Sequence, residues 1–192
     1  MTDLPRTSTA SYAILYTGYG SPGVAATVGF IRDGDRLIVT DPGMVRHRSL
    51  ILEPLAELGF QPEEITDVIF SHHHPDHTLH AALFERARFH DHMAIYHGDQ
   101  WDARDADGYE LTPSVKLIRT PGHSYEDITT LIGTPQNVVA FTHLWNTPTS
   151  TGDAHAVDLN LLHAGRQRIL GLADVIVPGH GPAFTPTQET PR

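Results

Sequence analysis

The chain has 192 residues, no cysteine, a formal net charge of −10 and Lys116 as its single lysine. That length predicts one domain, 1–192, able to bury a core unaided, and the missing thiols exclude disulfides and thiolate ligands. The acidic balance argues against nucleic acid as a partner, because phosphate binding needs clustered cations. No leader-like segment opens the chain and no apolar run reaches a membrane span, so a cytoplasmic location without membrane attachment is expected.

In chain order, residues 1–11 are polar and read as a flexible tail. Residues 12–17, 25–31 and 37–40 are short runs rich in β-branched and aromatic side chains. Gly18-Tyr19-Gly20-Ser21-Pro22-Gly23 and Asp33-Gly34-Asp35 separate them, which predicts an antiparallel meander. Asp41, followed by Pro42-Gly43, closes the third run and reads first as a turn residue. Residues 47–58 have apolar positions at helical spacing, ended by Gly59, with His47 on the surface. A buried strand over 68–70 delivers a His-rich loop, and a helix over 79–84 should follow, with His80 at its rim. Strands are predicted at 94–96 and 115–119. The intervening 98–113 is too polar for the core and reads as a substrate-side loop. His90, His92 and His97 have no evident partner there.

Residues 128–132 and 138–141 predict a hairpin. Residues 146–153 are a Thr/Pro/Gly-rich loop, 157–172 the last long helix, 175–177 a closing strand, and 185–192 a second flexible tail. The pairs Arg46/Arg48, Arg86/Arg88 and Arg166/Arg168 read as solvated faces. Tyr19, Trp101, Tyr109 and Trp145 are candidates to line a pocket, or equally rim packing. Strands then a helix in each half predict an α/β chain with two sheets packed face to face.

The chemistry concentrates in Ser71-His72-His73-His74-Pro75-Asp76-His77. Alternate residues of an extended segment point the same way, so His72 and His74 can converge on one cation. Pro75 keeps His74 extended and turns Asp76 and His77 toward a neighbouring position. Imidazole and carboxylate are donors that zinc, iron and manganese accept. Farther on, Thr120-Pro121-Gly122-His123-Ser124 and Pro178-Gly179-His180-Gly181 each present one His from a tight, small-residue turn.

Taken together, His72-x-His74-x-Asp76-His77, Asp41-Pro42-Gly43 and the two later turns resemble the metallo-β-lactamase-fold hydrolases over about residues 13–184. Residues 138–184 look most like the small members grouped with metallo-β-lactamase domain-containing protein 1. The resemblance implies an αββα sandwich of two mixed sheets with helices outside. It assigns His72, His74 and His123 to one metal and Asp76, His77 and His180 to a second. Asp41 would lie behind them, orienting an imidazole, and the Gly-rich turn at 18–23 would lie over the cleft. A homodimer is implied by the resemblance alone.

One position departs from the family pattern. His143, in Thr142-His143-Leu144, stands where the family usually has an Asp bridging both metals, and one imidazole lone pair cannot bridge two ions. His143 is therefore read in three ways: a ligand to one metal, a ring turned away from a weakened second site, or an acid/base group near the bound water. Zinc, as one or two ions, is the expected cofactor, with iron or manganese the alternatives.

The implied activity is a metal-dependent hydrolase acting through a metal-bound hydroxide on a small ester, thioester or lactone. Asp76 would orient the hydroxide and His143, if not ligated, would protonate the leaving group. The alternatives are a phosphodiesterase or nuclease of the same fold, an iron-dependent oxygen-using enzyme, and a non-catalytic metal-binding module.

Overall fold

The structure, a computed structural model, describes residues 9–149 and 152–192; residues 1–8 of the expected amino-terminal tail and 150–151 of the Thr/Pro/Gly-rich loop lie outside them. β1 (Ser11–Tyr16), β2 (Val28–Asp33) and β3 (Arg36–Thr40) form the antiparallel meander that their β-branched and aromatic content favours. α1 (Ser49–Glu57) then crosses over to β4 (Asp67–Ile69), which runs parallel to β3. The single-turn α2 (Pro75–Thr78) follows, and β5 (Arg88–His90), β6 (Ala94–His97) and β7 (Gln100–Ala103) complete a seven-stranded sheet in sequence order.

The second sheet holds β8 (Glu110–Thr112), β9 (Val115–Arg119), β10 (Ile128–Gly133) and β11 (Val138–Thr142). After α3 (Leu159–Leu170), β12 (Val175–Pro178) adds parallel to β11, giving the order β12-β11-β10-β9-β8. Both sheets are mixed.

Three apolar clusters define the layers. Ile31, Ile38 and Ile69 of the first sheet pack with Leu117, Ile128, Val139 and Val177 of the second. Ile51 and Leu55 of α1 cover the outer face of the first sheet on Phe30, Val39 and Val68. Leu162 and Ile169 of α3 cover the second on Ile118, Leu131 and Ile176. The result is the expected αββα sandwich, each sheet buried on both faces at its centre.

Four readings are corrected. The helix expected over 79–84 is replaced by one α turn and a 3-10 turn (Ala81–Phe84). Between them His80 departs from the helix: its N–H donates to Pro42 O and its Nδ1 lies 2.7 Å from Gly43 O. The stretch 98–113 is not a loop beside the cleft but contributes the edge strands β7 and β8, one to each sheet. An outermost strand such as β7 is exposed on both faces and keeps a polar composition. Arg166 is not a solvated residue; it is fully buried, with Nε donating to Leu144 O and Nη2 to Asp153 Oδ1. The end of the chain, read as flexible, is fastened. Within 185–192, Thr190 N–H donates to Thr187 O, and Trp145 Nε1 donates to Pro191 O at 3.0 Å.

Candidate metal centre

Asp41, His72, His123, His143 and His180 all follow the carboxyl end of a strand: β3, β4, β9, β11 and β12 respectively. Because β3 and β4 are parallel, and β9, β11 and β12 share one direction, these ends meet at one rim of the sandwich. Two glycines make the approach possible. A Cβ on Gly43 would stand 1.6 Å from Asp76 O, and one on Gly179 would stand 2.5 Å from the His143 ring. The Asp41–Gly43 turn can therefore lie against the ligand loop, with Met44 N–H donating to Asp76 O.

The side chains the sequence singles out are brought together in overlapping groups: His72, His74 and His123; His72, His77 and His143; Asp76, His77 and His180. Within each, one donor atom per residue lies within 4.8 Å of the others. In the first, His74 Nδ1 is 2.8 Å from His72 Nε2 and 3.1 Å from His123 Nε2. In the third, Asp76 Oδ2 is 3.5 Å from Nε2 of both His77 and His180. His143 stands on the border, its Nε2 3.0 Å from His180 Nε2 and its ring stacked on His123 at 3.9 Å.

The opposite ring nitrogens are held from behind. His72 Nδ1 meets Ser71 Oγ at 3.0 Å, His77 Nδ1 meets Asp41 Oδ2 at 3.0 Å, and His180 Nδ1 donates to Ala25 O at 2.9 Å. Such partners fix the tautomer that leaves the inward nitrogen free to ligate. Asp41 also accepts the Ser71 N–H at 2.7 Å, in a left-handed backbone conformation (φ 49°) that Asp tolerates and most side chains do not.

The arrangement fits a bound cation. A neutral imidazole has one donor and one acceptor, so ring nitrogens converging on ring nitrogens cannot all be satisfied by one another. Buried His77 Nε2 has no hydrogen-bond partner among the described residues. Burial pushes His72, His143 and His180 below the ordinary imidazole range and His123 down to about 4, so each is the neutral ring a metal requires. Burial alone would do the same to His77, but the carboxylates of Asp41 and Asp76 carry it upward.

Other residues at the site escape sequence reading. Asp127 is buried, accepts from Ser124 N–H and Oγ, and lies 3.7 Å from His72 Nδ1; burial raises its carboxyl to about 7. Its sole signal is the short spacing from His123. The cleft above the cluster, about 410 Å³, has His74, Asp76, His123, His143 and His180 on its floor. Gly20, Val24, Asn146, Gly152, His155 and Leu162 form its walls. The Gly-rich turn thus does border the cleft, while none of Tyr19, Trp101, Tyr109 and Trp145 lines it. Trp145 is core, and Trp101 is 57% exposed at the far edge of the first sheet.

Comparison with known proteins agrees with this geometry. The family described as "Metallo-beta-lactamase superfamily" matches residues 22–185. Metallo-beta-lactamase domain-containing protein 1 of Xenopus laevis is 30% identical over 165 residues, covering 79% of this chain and 69% of that protein. Across its curated relatives the chain spans 50% to 73% of their own length. Among solved structures, a metallo-beta-lactamase relative from Thermotoga maritima superposes with a TM-score of 0.73 at 24% identity, covering 93% of this chain and all of the other. TTHA1623 in a di-iron-bound form gives 0.67 at 20% identity, covering 88% and 94%.

Proposed function

The chain belongs to the metallo-beta-lactamase superfamily, the setting of a metal-dependent hydrolase, and on that premise we propose that it hydrolyses a small, uncharged ester, thioester or lactone. The observation that carries this reading is a converging His/Asp cluster on the floor of a cleft whose described lining residues include no Lys or Arg. A phosphodiester or a free carboxylate entering that cleft would have only the bound ions, and no cationic side chain among the described lining residues, to hold its charge. A neutral acyl group meets no such penalty.

Under this reading His72, His74 and His123 would hold one ion, and Asp76, His77 and His180 a second. When bound, the metal lowers the pKa of water toward about 7 and polarises the acyl oxygen. Asp76, the one carboxylate among the described lining residues, accepts a hydrogen bond from the attacking water and fixes its direction. Asp41 holds the His77 ring through Nδ1, keeping Nε2 aimed at the cluster. Val24 and Leu162 exclude bulk water from the apolar part of the substrate.

His143 suits ligation better than proton donation. It is buried, its inward Nε2 faces His180, and burial keeps the ring neutral at physiological pH. Zinc is the metal we assign. A nitrogen-rich donor set, together with a fold neighbour in di-iron form, supports iron as the second reading.

The test combines metal analysis and turnover of the wild type, His143→Ala and His143→Asp. Expected results are zinc in the wild type, less metal in His143→Ala, partial recovery in His143→Asp, and turnover of at least one neutral acyl substrate. Turnover confined to RNA, DNA or phosphodiesters would overturn the substrate class. Iron with oxygen consumption would replace the hydrolytic reading by the oxygen-using one.

A further inference from the structure

We propose that His73, His92 and Asp91 form a separate site for a divalent transition metal, outside the cleft. His73 alternates with His72 and His74 along the ligand loop, so it points away from them, and none of the three residues lines the cleft. One donor atom from each lies within 4.8 Å of the others. His73 Nε2 is 3.4 Å from Asp91 Oδ2. That equals the spacing, about 3.4 Å, between two ligand atoms each about 2.1 Å from a tetrahedral zinc.

The surroundings are those of a metal site. Glu126 Oε2 is 2.7 Å from His73 Nδ1, which places the proton there and leaves Nε2 as the ligating atom. This is a carboxylate–histidine pair of the kind that orients metal ligands. Asp91 is aimed by the N–H groups of Met93 and Ala94, both at 2.7 Å on Oδ1, and by the Tyr96 hydroxyl. A bare ion pair accounts for His73, Glu126 and Asp91, but not for His92, whose buried Nδ1 has no hydrogen-bond partner among the described residues. A cation accounts for all of them. His73 is about two-fifths exposed, so an ion can enter and water can complete its shell. Two imidazoles and one carboxylate suit zinc, iron(II) or copper(II) rather than calcium or magnesium.

Such an ion would clamp together the loop after β4, the β9–β10 connection carrying Glu126, and the β5–β6 turn. It does not depend on the hydrolase reading.

The experiment is equilibrium dialysis against zinc, with metal counted per chain and thermal melting followed in parallel, for wild type, His92→Ala, His92→Gln and His123→Ala. The expected result is that both His92 variants bind one zinc fewer than wild type and lose part of the zinc-dependent rise in melting temperature, while their hydrolytic activity persists. The double variant His92→Ala/His123→Ala should lose the sum of the zinc lost by the two single variants. Equal zinc content and equal melting shifts in wild type and a folded His92 variant would overturn the proposal.

Discussion

Strand β4 carries a buried polar cluster at each end, and the two are built on opposite rules. At the amino end, Asp67 is fully buried yet accepts from Arg36 Nη1, Arg88 Nε and Nη2, His90 Nε2 and Thr66 Oγ1, at 2.7 to 3.1 Å. Every oxygen lone pair there has a donor; His90 Nδ1 is the atom left over. At the carboxyl end, ring nitrogens face ring nitrogens, and His77 Nε2 faces Asp76 at 3.5 Å with no hydrogen bond made. Burial of charge is common to both clusters and so marks neither as functional. What separates them is the centre: the first is closed around a carboxylate whose lone pairs the protein's own donors fill, His90 Nδ1 alone being left unpaired there, and the second is complete only around a ligand.

Exchanging one residue in each cluster should therefore have opposite consequences. His123→Ala should reduce metal content and cut hydrolysis by more than about 100-fold, exceeding the 10–100-fold typical of outer partners. The melting temperature of the metal-free protein should hold or rise, because an unsatisfied cluster has been relieved. Asp67→Ala should do the reverse. It strands Arg36, Arg88 and His90 around a buried gap, costing about 3–5 kcal/mol. In a chain of this size that is roughly 6–20 °C of melting temperature, with metal content per folded chain unchanged. Loss of metal in Asp67→Ala, or a large destabilisation of metal-free His123→Ala, would erase the distinction.

How much of this contrast the sequence shows depends on the range of the interactions. Alternation and β-branched content place most strands, and the spacing of His72, His74, Asp76 and His77 exposes the site, because ligands of one loop are close in sequence. Partners distant in sequence are silent. Nothing near Asp67 announces Arg36 or Arg88, and nothing near Arg166 announces Leu144 O and Asp153. His80 reads as helical until Pro42 and Gly43, far back in the chain, claim its N–H and its ring. The polar β7 reads as loop because edge exposure removes the alternation that would reveal it.

Acid sharpens the comparison. Burial tends to raise the Asp67 carboxyl, but the hydrogen bonds and charges of His90, Thr66 and Arg88 outweigh it and hold the group down at about 2, against 3.8 for the free side chain. A depressed carboxylate contributes stability that is complete above its unfolded value and fades as pH falls toward its folded one. The shift corresponds to about 2 kcal/mol, present above about pH 5 and lost between about pH 4 and pH 2. Unfolding free energies of wild type and Asp67→Asn, read from urea titrations, should thus converge by about that amount over this interval. A gap that stays constant down to pH 2 would mean that folding does not favour the ionised form of Asp67.

The smallest effect tests the closure argument most directly. Arg36 supplies one of the donors to Asp67 and is 38% exposed, so it loses little solvation by pairing. Arg36→Met keeps most of the aliphatic stem while Arg88, His90 and Thr66 continue to occupy both carboxylate oxygens. The expected loss is about 0.5–1 kcal/mol, the range of a part-exposed ion pair. No change in activity should accompany it. A carboxylate with five donors has one to spare, so removing a part-exposed member leaves no new orphan in the interior. The cluster at the other end of β4 has no such reserve, since each of its rings contributes an inward nitrogen that no neighbour duplicates. Urea denaturation of Arg36→Met reads the difference: a loss near that of Asp67→Ala would show that the amino-end cluster depends on every member, as the metal centre does.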